Sequence, residues 1–321
     1  MNPAISVILM TTLIGAGQGL FLALYSAEIL GLIGLVAEPG SRVQALGSMI
    51  SVAFLVLGLI ASFFHLGHPE RAWRAAAMWR TSWLSREVIV MPALMAAVFA
   101  YGVGQYLGGH GAPDSAPALL TTVAGMAAVV LCIALFICTG MIYACIKFMQ
   151  EWATPLTLIN YFLMGCASGF TLATLLFMAA APGLTRIFGI AAVAFTLAAL
   201  AGRLASLYRN ARIKPKSTLQ SATGIRHPHI VQKAQGAMGG SFNTREFFHG
   251  KKPAFIRSVK TIFLVLGFPV PILLLTVGLL TASVAWLAAA FVLQYVGLVF
   301  ERWFFFAQAN HPQNLYYQQI S

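Results

Sequence analysis

Along most of this chain the apolar positions follow no helical or strand period. They run on in blocks of roughly 20 to 30 residues, separated by short polar or basic stretches. A block of that length is what an α-helix needs to cross a bilayer core, roughly 20 residues at 1.5 Å each. The blocks predict eight spans: Ile5 to Val36, Val43 to Phe64, Leu84 to Leu107, Ala118 to Ile146, Pro155 to Ala180, Ile187 to Leu207, Thr261 to Leu280, and Val284 to Phe306. The last two are almost continuous, and the small polar step Thr281-Ala282-Ser283 is where a turn is expected. Without that break the count falls to seven and the C-terminus changes side. The expected fold is all-α, a polytopic membrane protein with eight transmembrane helices, residues 1–321 forming one integral membrane domain.

Composition sharpens the picture. Apolar residues make up 59% and charged residues 9%, against roughly 45–50% and about 25% in soluble domains, so a soluble globule is excluded. The opening MNPAISVILM has no basic n-region and leads into a long apolar run, which reads as a retained first helix rather than a cleaved signal. No lipidation or twin-arginine motif is visible. The four cysteines, Cys132, Cys138, Cys145 and Cys166, lie in apolar runs without CxxC spacing, so buried, reduced, structural roles are expected.

The net charge of +12 is explained by topology rather than by nucleic acid. On the eight-span plan, all but Arg42 and Arg186 of the 20 basic residues fall on one side. Basic residues are retained on the cytoplasmic side, which puts both termini and the basic loops there. Residues 208–258 form the one long connection, a basic cytoplasmic loop between helices six and seven with Gly236, Gly239, Gly240, Phe247 and Phe248. It reads either as a solvated or lipid-touching loop or as a docking surface for a partner subunit. Small-xxx-small pairs, Gly15 with Gly19 and Gly165 with Gly169, suit close helix approach. The GAGQG run is not a dinucleotide fingerprint, because no strand precedes it.

Ionisable groups at membrane depth are costly and mark function. The short list is Glu28, His65, Arg86 and Glu87, with Gln18, Asn160 and Gln294 as polar neighbours. Of the seven histidines only His65 adjoins a span closely, so axial pairs for haem are missing, and the cysteines offer no iron-sulfur spacing. His65 ends span two and Glu87 opens span three, which sets both at one membrane face. Such a pair suits quinone chemistry: an imidazole exchanges a proton near neutrality, and a partly desolvated carboxylate relays a second. The same residues also read as an interfacial histidine and a glutamate paired with Arg86 or Arg71. Glu28 reads either as a proton relay toward the opposite face or as a side chain satisfied by Tyr25 or another helix. Trp73, Trp79 and Trp83 read first as interfacial anchors, with stacking near a ring headgroup as a weaker second role.

The run FFHLGHPERAWRAAAMWRTSWLSRE, Phe63 to Glu87, resembles the membrane anchor subunit of dimethyl sulfoxide reductase. In that family a His-Leu-Gly-x-Pro-x-Arg-Ala segment precedes Leu-Ser-x-Glu at the start of helix three. Here these are His65, Leu66, Gly67, Pro69, Arg71 and Ala72, then Leu84, Ser85 and Glu87. The eight-span plan and the first helix around Gln18 match as well. The resemblance implies an anchor with no haem and no metal of its own. It implies partners too, an iron-sulfur subunit bound to a molybdopterin catalytic subunit, which exchange electrons with a quinone (menaquinone or ubiquinone) at His65 and Glu87. Arg71, Ser85 and Gln18 are further expected pocket members. The loop GIRHPHIVQKAQGAMGGSFNTREFFHG looks less like the enteric reductase anchor and more like that of the cytoplasmic sulfite-oxidising branch. Electrons flowing from sulfite to quinone are therefore favoured over a quinol-oxidising anchor for a sulfoxide or N-oxide reductase. A bacterial inner-membrane location follows. Two other classes stand beside this reading: a purely structural anchor, and a secondary transporter with helices broken at Pro92, Pro269 and Pro271.

Overall fold

The computed structural model describes residues 1–108, 116–233 and 247–316. Eight helical segments are long and apolar enough to cross a membrane, and no strand occurs among the described residues. They are α1 (Ile5–Leu32), α2 (Ser41–Phe63), α3 (Trp83–Tyr106), α4 (Ala116–Ala144), α5 (Pro155–Ala180), α6 (Pro182–Asn210), a segment built of α8 (Pro253–Gly267) and α9 (Pro269–Thr281), and α10 (Val284–Ala307), with the one-turn helices α7 (Leu219–Thr223) and α11 (Gln313–Tyr316) outside them. A 3₁₀ stretch, Pro69–Met78, joins α2 to α3.

The helix ends follow local chemistry. Ser82 caps α3 by accepting from the Ser85 N–H at 3.3 Å, and Thr154 caps α5. Pro155, Pro182 and Pro253 each stand in a first turn, where the missing N–H costs nothing. The apolar block of the last two spans breaks where expected: Ala282 is left-handed (φ 49°) and Ser283 precedes α10. α1 ends at Leu32, short of Val36, where Gly34 takes φ 74°. α6 begins at Pro182 and runs on to Asn210, and α8 begins at Pro253, so the long connection occupies 211–252. In the added turn of α6, Arg209 donates to the Gln150 carbonyl (3.0 Å) and to Asn210 Oδ1 (2.9 Å). Pro92 lies within a continuous α3, whereas the Phe268–Pro269 step divides α8 from α9.

Two helices are central. In α1 and α5, 72% of the most apolar window is buried, against 33% in each of the other six spans. α1 packs on α2, α4, α5 and α10, and α5 on α1, α4, α6 and α10. Glycine permits the α1–α5 contact: a Cβ added at Gly19 would stand 2.1 Å from the Gly165 carbonyl oxygen, and one at Gly169 would stand 2.1 Å from the Gly19 carbonyl carbon. Both small-residue pairs of the sequence thus meet in one crossing. Hydrogen bonds tie α1 to its other neighbours: Ser51 and Gln44 of α2 donate to the Gly17 (2.8 Å) and Leu24 (3.0 Å) carbonyls, and Gln18 donates to the Cys132 carbonyl of α4 (2.8 Å). Gln294 donates to the Thr196 hydroxyl (3.0 Å) and Asn160 to the Ser206 hydroxyl (2.8 Å).

α6 and α10 are joined by an ion pair inside the membrane domain. Arg203 Nε lies 2.9 Å from Glu301 Oε1, both side chains 2% exposed, and Arg302 Nη2 lies 3.4 Å from Glu301 Oε2. The Arg302 guanidinium also sits 3.8 Å from the Tyr161 ring centre on α5.

Gly19→Ala is expected to force α1 and α5 apart and destabilise the detergent-solubilised protein by roughly 1–3 kcal/mol, read as a lowered thermal transition; an unchanged transition would refute the close-contact account. Glu301→Gln leaves Arg203 without its counter-charge, an expected loss of about 3–5 kcal/mol. The double replacement Arg203→Leu with Glu301→Leu should recover most of that loss in the same assay.

Candidate functional site

Counting along the chain, the ends of α2, α4, α6 and α10 and the starts of α1, α3, α5 and α8 share one face, with the 3₁₀ connector and the 211–252 connection. His65 follows α2 by two residues and is exposed. Partial burial holds its imidazole below the usual histidine pKa, so the neutral ring predominates at pH 7. Glu87 lies one turn into α3, about 6 Å along the helix from its start. Its carboxylate is 5% exposed and accepts a hydrogen bond from the Thr139 hydroxyl of α4. Among the described residues it forms no ion pair, and none of its hydrogen bonds reaches His65. Arg86 instead turns back to the connector, donating to the carbonyls of Trp79 (2.9 Å) and Arg80 (2.8 Å).

The other expected residues distribute as follows. Ser85 is buried beside Glu87 on α3, its N–H spent on the cap. Arg71 is exposed on the connector with Glu70 at 3.7 Å. Gln18 is buried half-way along α1. Glu28 belongs to the opposite end of α1, where it accepts from the Tyr101 hydroxyl, itself contacted by Gln105 at 3.2 Å. Glu28 is thus satisfied by another helix and stands apart from Glu87. Trp73, Trp79 and Trp83 each carry an arginine over the ring, Arg74, Arg80 and Arg86 at 5.5, 5.3 and 4.2 Å, which makes the connector a cationic-aromatic rim. Cys132, Cys138 and Cys166 are buried free thiols, but Cys145 is exposed, because α4 ends at Ala144 and leaves it in the following turn. His110 and Gly236, Gly239 and Gly240 lie outside the described residues.

A cavity of about 30 Å³ opens behind Glu87, lined by Gln18 of α1, Thr139 of α4, Tyr161 and Ser168 of α5, and Glu301 and Arg302 of α10. Thr139 is the link, since its hydroxyl reaches Glu87. The space fits two or three waters. Tyr143 and Tyr161, stacked at 5.9 Å, are within range of the charges of both Glu87 and Arg302. The sequence reading missed Arg203, Glu301 and Arg302 as interior groups, counting the arginines as topology markers only. The signal was an adjacent acid–base pair inside the apolar run VLQYVGLVFERWFFF and a lone arginine in LAALAGRLASL. Among the described residues no group of three or more His, Cys, Asp or Glu is placed to hold a metal ion.

Comparison with known proteins fits this architecture. The family model described as DMSO reductase anchor subunit (DmsC) matches residues 1–317. The chain is 51% identical over 325 residues to a sulfite dehydrogenase subunit from Allochromatium vinosum, covering 100% of both chains. An all-helical, eight-span chain matched over nearly its whole length by one family model belongs to the DMSO reductase anchor subunit family.

Proposed function

We propose that this chain is the membrane anchor and quinone-reactive subunit of a molybdopterin/iron-sulfur oxidoreductase complex, passing electrons from sulfite oxidation in the partner subunits to the quinone pool. The observation that carries the quinone reading is Glu87, a buried carboxylate without a cationic partner among the described residues, at the end of the bundle where His65 is exposed. Sulfite as the electron source is supported by the full-length likeness to the sulfite dehydrogenase protein of Allochromatium vinosum. The family description favours a second reading, a quinol-oxidising anchor of a sulfoxide or N-oxide reductase; the same pocket serves either direction.

Reduction of a quinone takes two electrons and two protons to give the quinol, so the site needs an electron donor within reach and proton donors at both carbonyls. The partner iron-sulfur subunit supplies the electrons. Neutral His65 donates an N–H to one carbonyl and exchanges its proton with the aqueous face. Glu87 serves the second carbonyl, with Thr139 orienting its carboxyl group. Ser85 and Arg71 lie at the same end of the bundle. Gln18 faces the cavity behind Glu87, which is too small for a quinone ring. The headgroup is therefore assigned to the side of α3 facing His65, beneath the tryptophan-arginine rim, where the iron-sulfur subunit docks. The excess of basic residues supports a cytoplasmic orientation of this face in a bacterial inner membrane, with the basic connection between α6 and α8 proposed as part of the docking surface.

In the purified complex, His65→Ala or Glu87→Gln is expected to lower sulfite-dependent quinone reduction by on the order of 100-fold or more, while sulfite oxidation by an artificial dye continues in the partner subunits. Full quinone activity in both variants would refute the site. Quinol-dependent sulfoxide reduction without sulfite oxidation would move the protein to the second reading.

A further inference from the structure

The cavity behind Glu87 has a neighbour. A second space of about 10 Å³ is lined by Asn160 of α5, Arg203 and Ser206 of α6, Glu301 and Arg302 of α10, and Glu151 in the turn between α4 and α5. Tyr161, Glu301 and Arg302 line both spaces, so the two lie side by side against these side chains. The second reaches toward the connector face through Glu151, Asn210 and Gln308, which are half-buried. The first ends at Thr139, whose hydroxyl touches Glu87.

The polar atoms around these spaces exceed what the protein satisfies. Asn160 Oδ1, Arg203 Nη2, Arg302 Nε and Gln308 Nε2 are buried and have no hydrogen-bond partner among the described residues. All four belong to side chains that line the second space. Asn160, Arg203 and Arg302 are each more than nine-tenths buried. Buried polar atoms of this kind are satisfied by ordered water, and a polar space of one probe sphere or more admits it. An ion pair that served only to tie α6 to α10 would not need a row of unpaired donors and acceptors facing a cavity.

We propose that the two spaces form one hydrated proton-access route, running from the Glu151–Asn210 face past the Arg203–Glu301–Arg302 cluster to Thr139 and Glu87. The inference rests on the quinone reading for its purpose, which is to return to Glu87 the proton it gives to the quinone. Each turnover of quinone plus two electrons and two protons to quinol takes one proton through His65 directly from the aqueous face. The other passes by water and by the Thr139 hydroxyl to the Glu87 carboxylate. Glu301 offsets one arginine, so the cluster does not present two uncompensated positive charges to the passing proton, and Asn160 and Ser206 hold water at the entrance. Asn160, Ser206 and Thr139 are positioning residues here.

The test uses the intact purified complex with Asn160→Leu and Ser206→Leu, which fill the second space with apolar side chains. Each variant is expected to slow sulfite-dependent reduction of a soluble quinone analogue by about tenfold and to raise its solvent deuterium isotope effect, with the KM for the analogue unchanged. Wild-type turnover and isotope effect in both variants would overturn the route. A His65→Ala complex assayed alongside separates the two ideas: if it turns over normally the quinone site is wrong, whatever the leucine variants do. Should the leucine variants fail to assemble, a high-resolution cryo-EM map of the wild-type complex decides. Solvent density linking Ser206 to Thr139 is expected, and a dry, apolar-packed gap there would overturn the proposal.

Discussion

The arrangement depends on how closely the backbones of α1 and α5 approach. In a lipid setting no hydrophobic force distinguishes a neighbouring helix from an acyl chain, so association rests on close packing and on hydrogen bonds. Gly19 and Gly169 allow contact at backbone level, and α2, α4, α6 and α10 then assemble around the pair. The same crossing sets the polar residues: with the two backbones in contact, Gln18 on α1 and Tyr161 and Ser168 on α5 face one cavity. A β-carbon at Gly19 would disturb a site it does not touch.

The buried charges obey a related constraint. Moving an arginine into the apolar interior is costly unless a partner and further hydrogen bonds compensate. Arg203 and Arg302 meet this by sharing Glu301 and by lying over aromatic rings, Arg203 near Phe263 and Phe304 and Arg302 on Tyr161. All three charges sit within two turns of one end of their helices, as Glu87 does, while Glu28 with Tyr101 holds the other end. The interior is polar toward the face that carries the connector and the basic residues. That asymmetry is what a complex needs if chemistry and docking share one side.

Much of this was legible in the sequence because a membrane span is a long signal. Eight apolar blocks correspond to eight membrane-length helical segments, the seventh divided at Phe268–Pro269, and the Thr281-Ala282-Ser283 step holds the left-handed break at Ala282. The glycine pairs could be read because small residues four apart have few other uses in an apolar helix. His65 and Glu87 were expected at one face because consecutive antiparallel helices leave no alternative. The partners of the polar residues were not legible. Thr139 is one threonine among many in apolar helices, and its role appears only when α4 packs on α3. The Arg203–Glu301 pair joins residues about 100 positions apart, and basic residues near helix ends serve topology so often that an interior role is masked. Cys145 was expected to be buried and is exposed, because the helix stops one residue before it.

The proposed function turns on where a quinone meets this chain. The most direct measurement is a cryo-EM structure of the intact complex with a quinone-analogue inhibitor bound. The headgroup is expected beneath the connector, one carbonyl within hydrogen-bond distance of the His65 imidazole and the other on the Glu87 side of α3. A headgroup at the opposite end of the bundle, near Glu28 and Tyr101, or one bound without contact to His65, would contradict it.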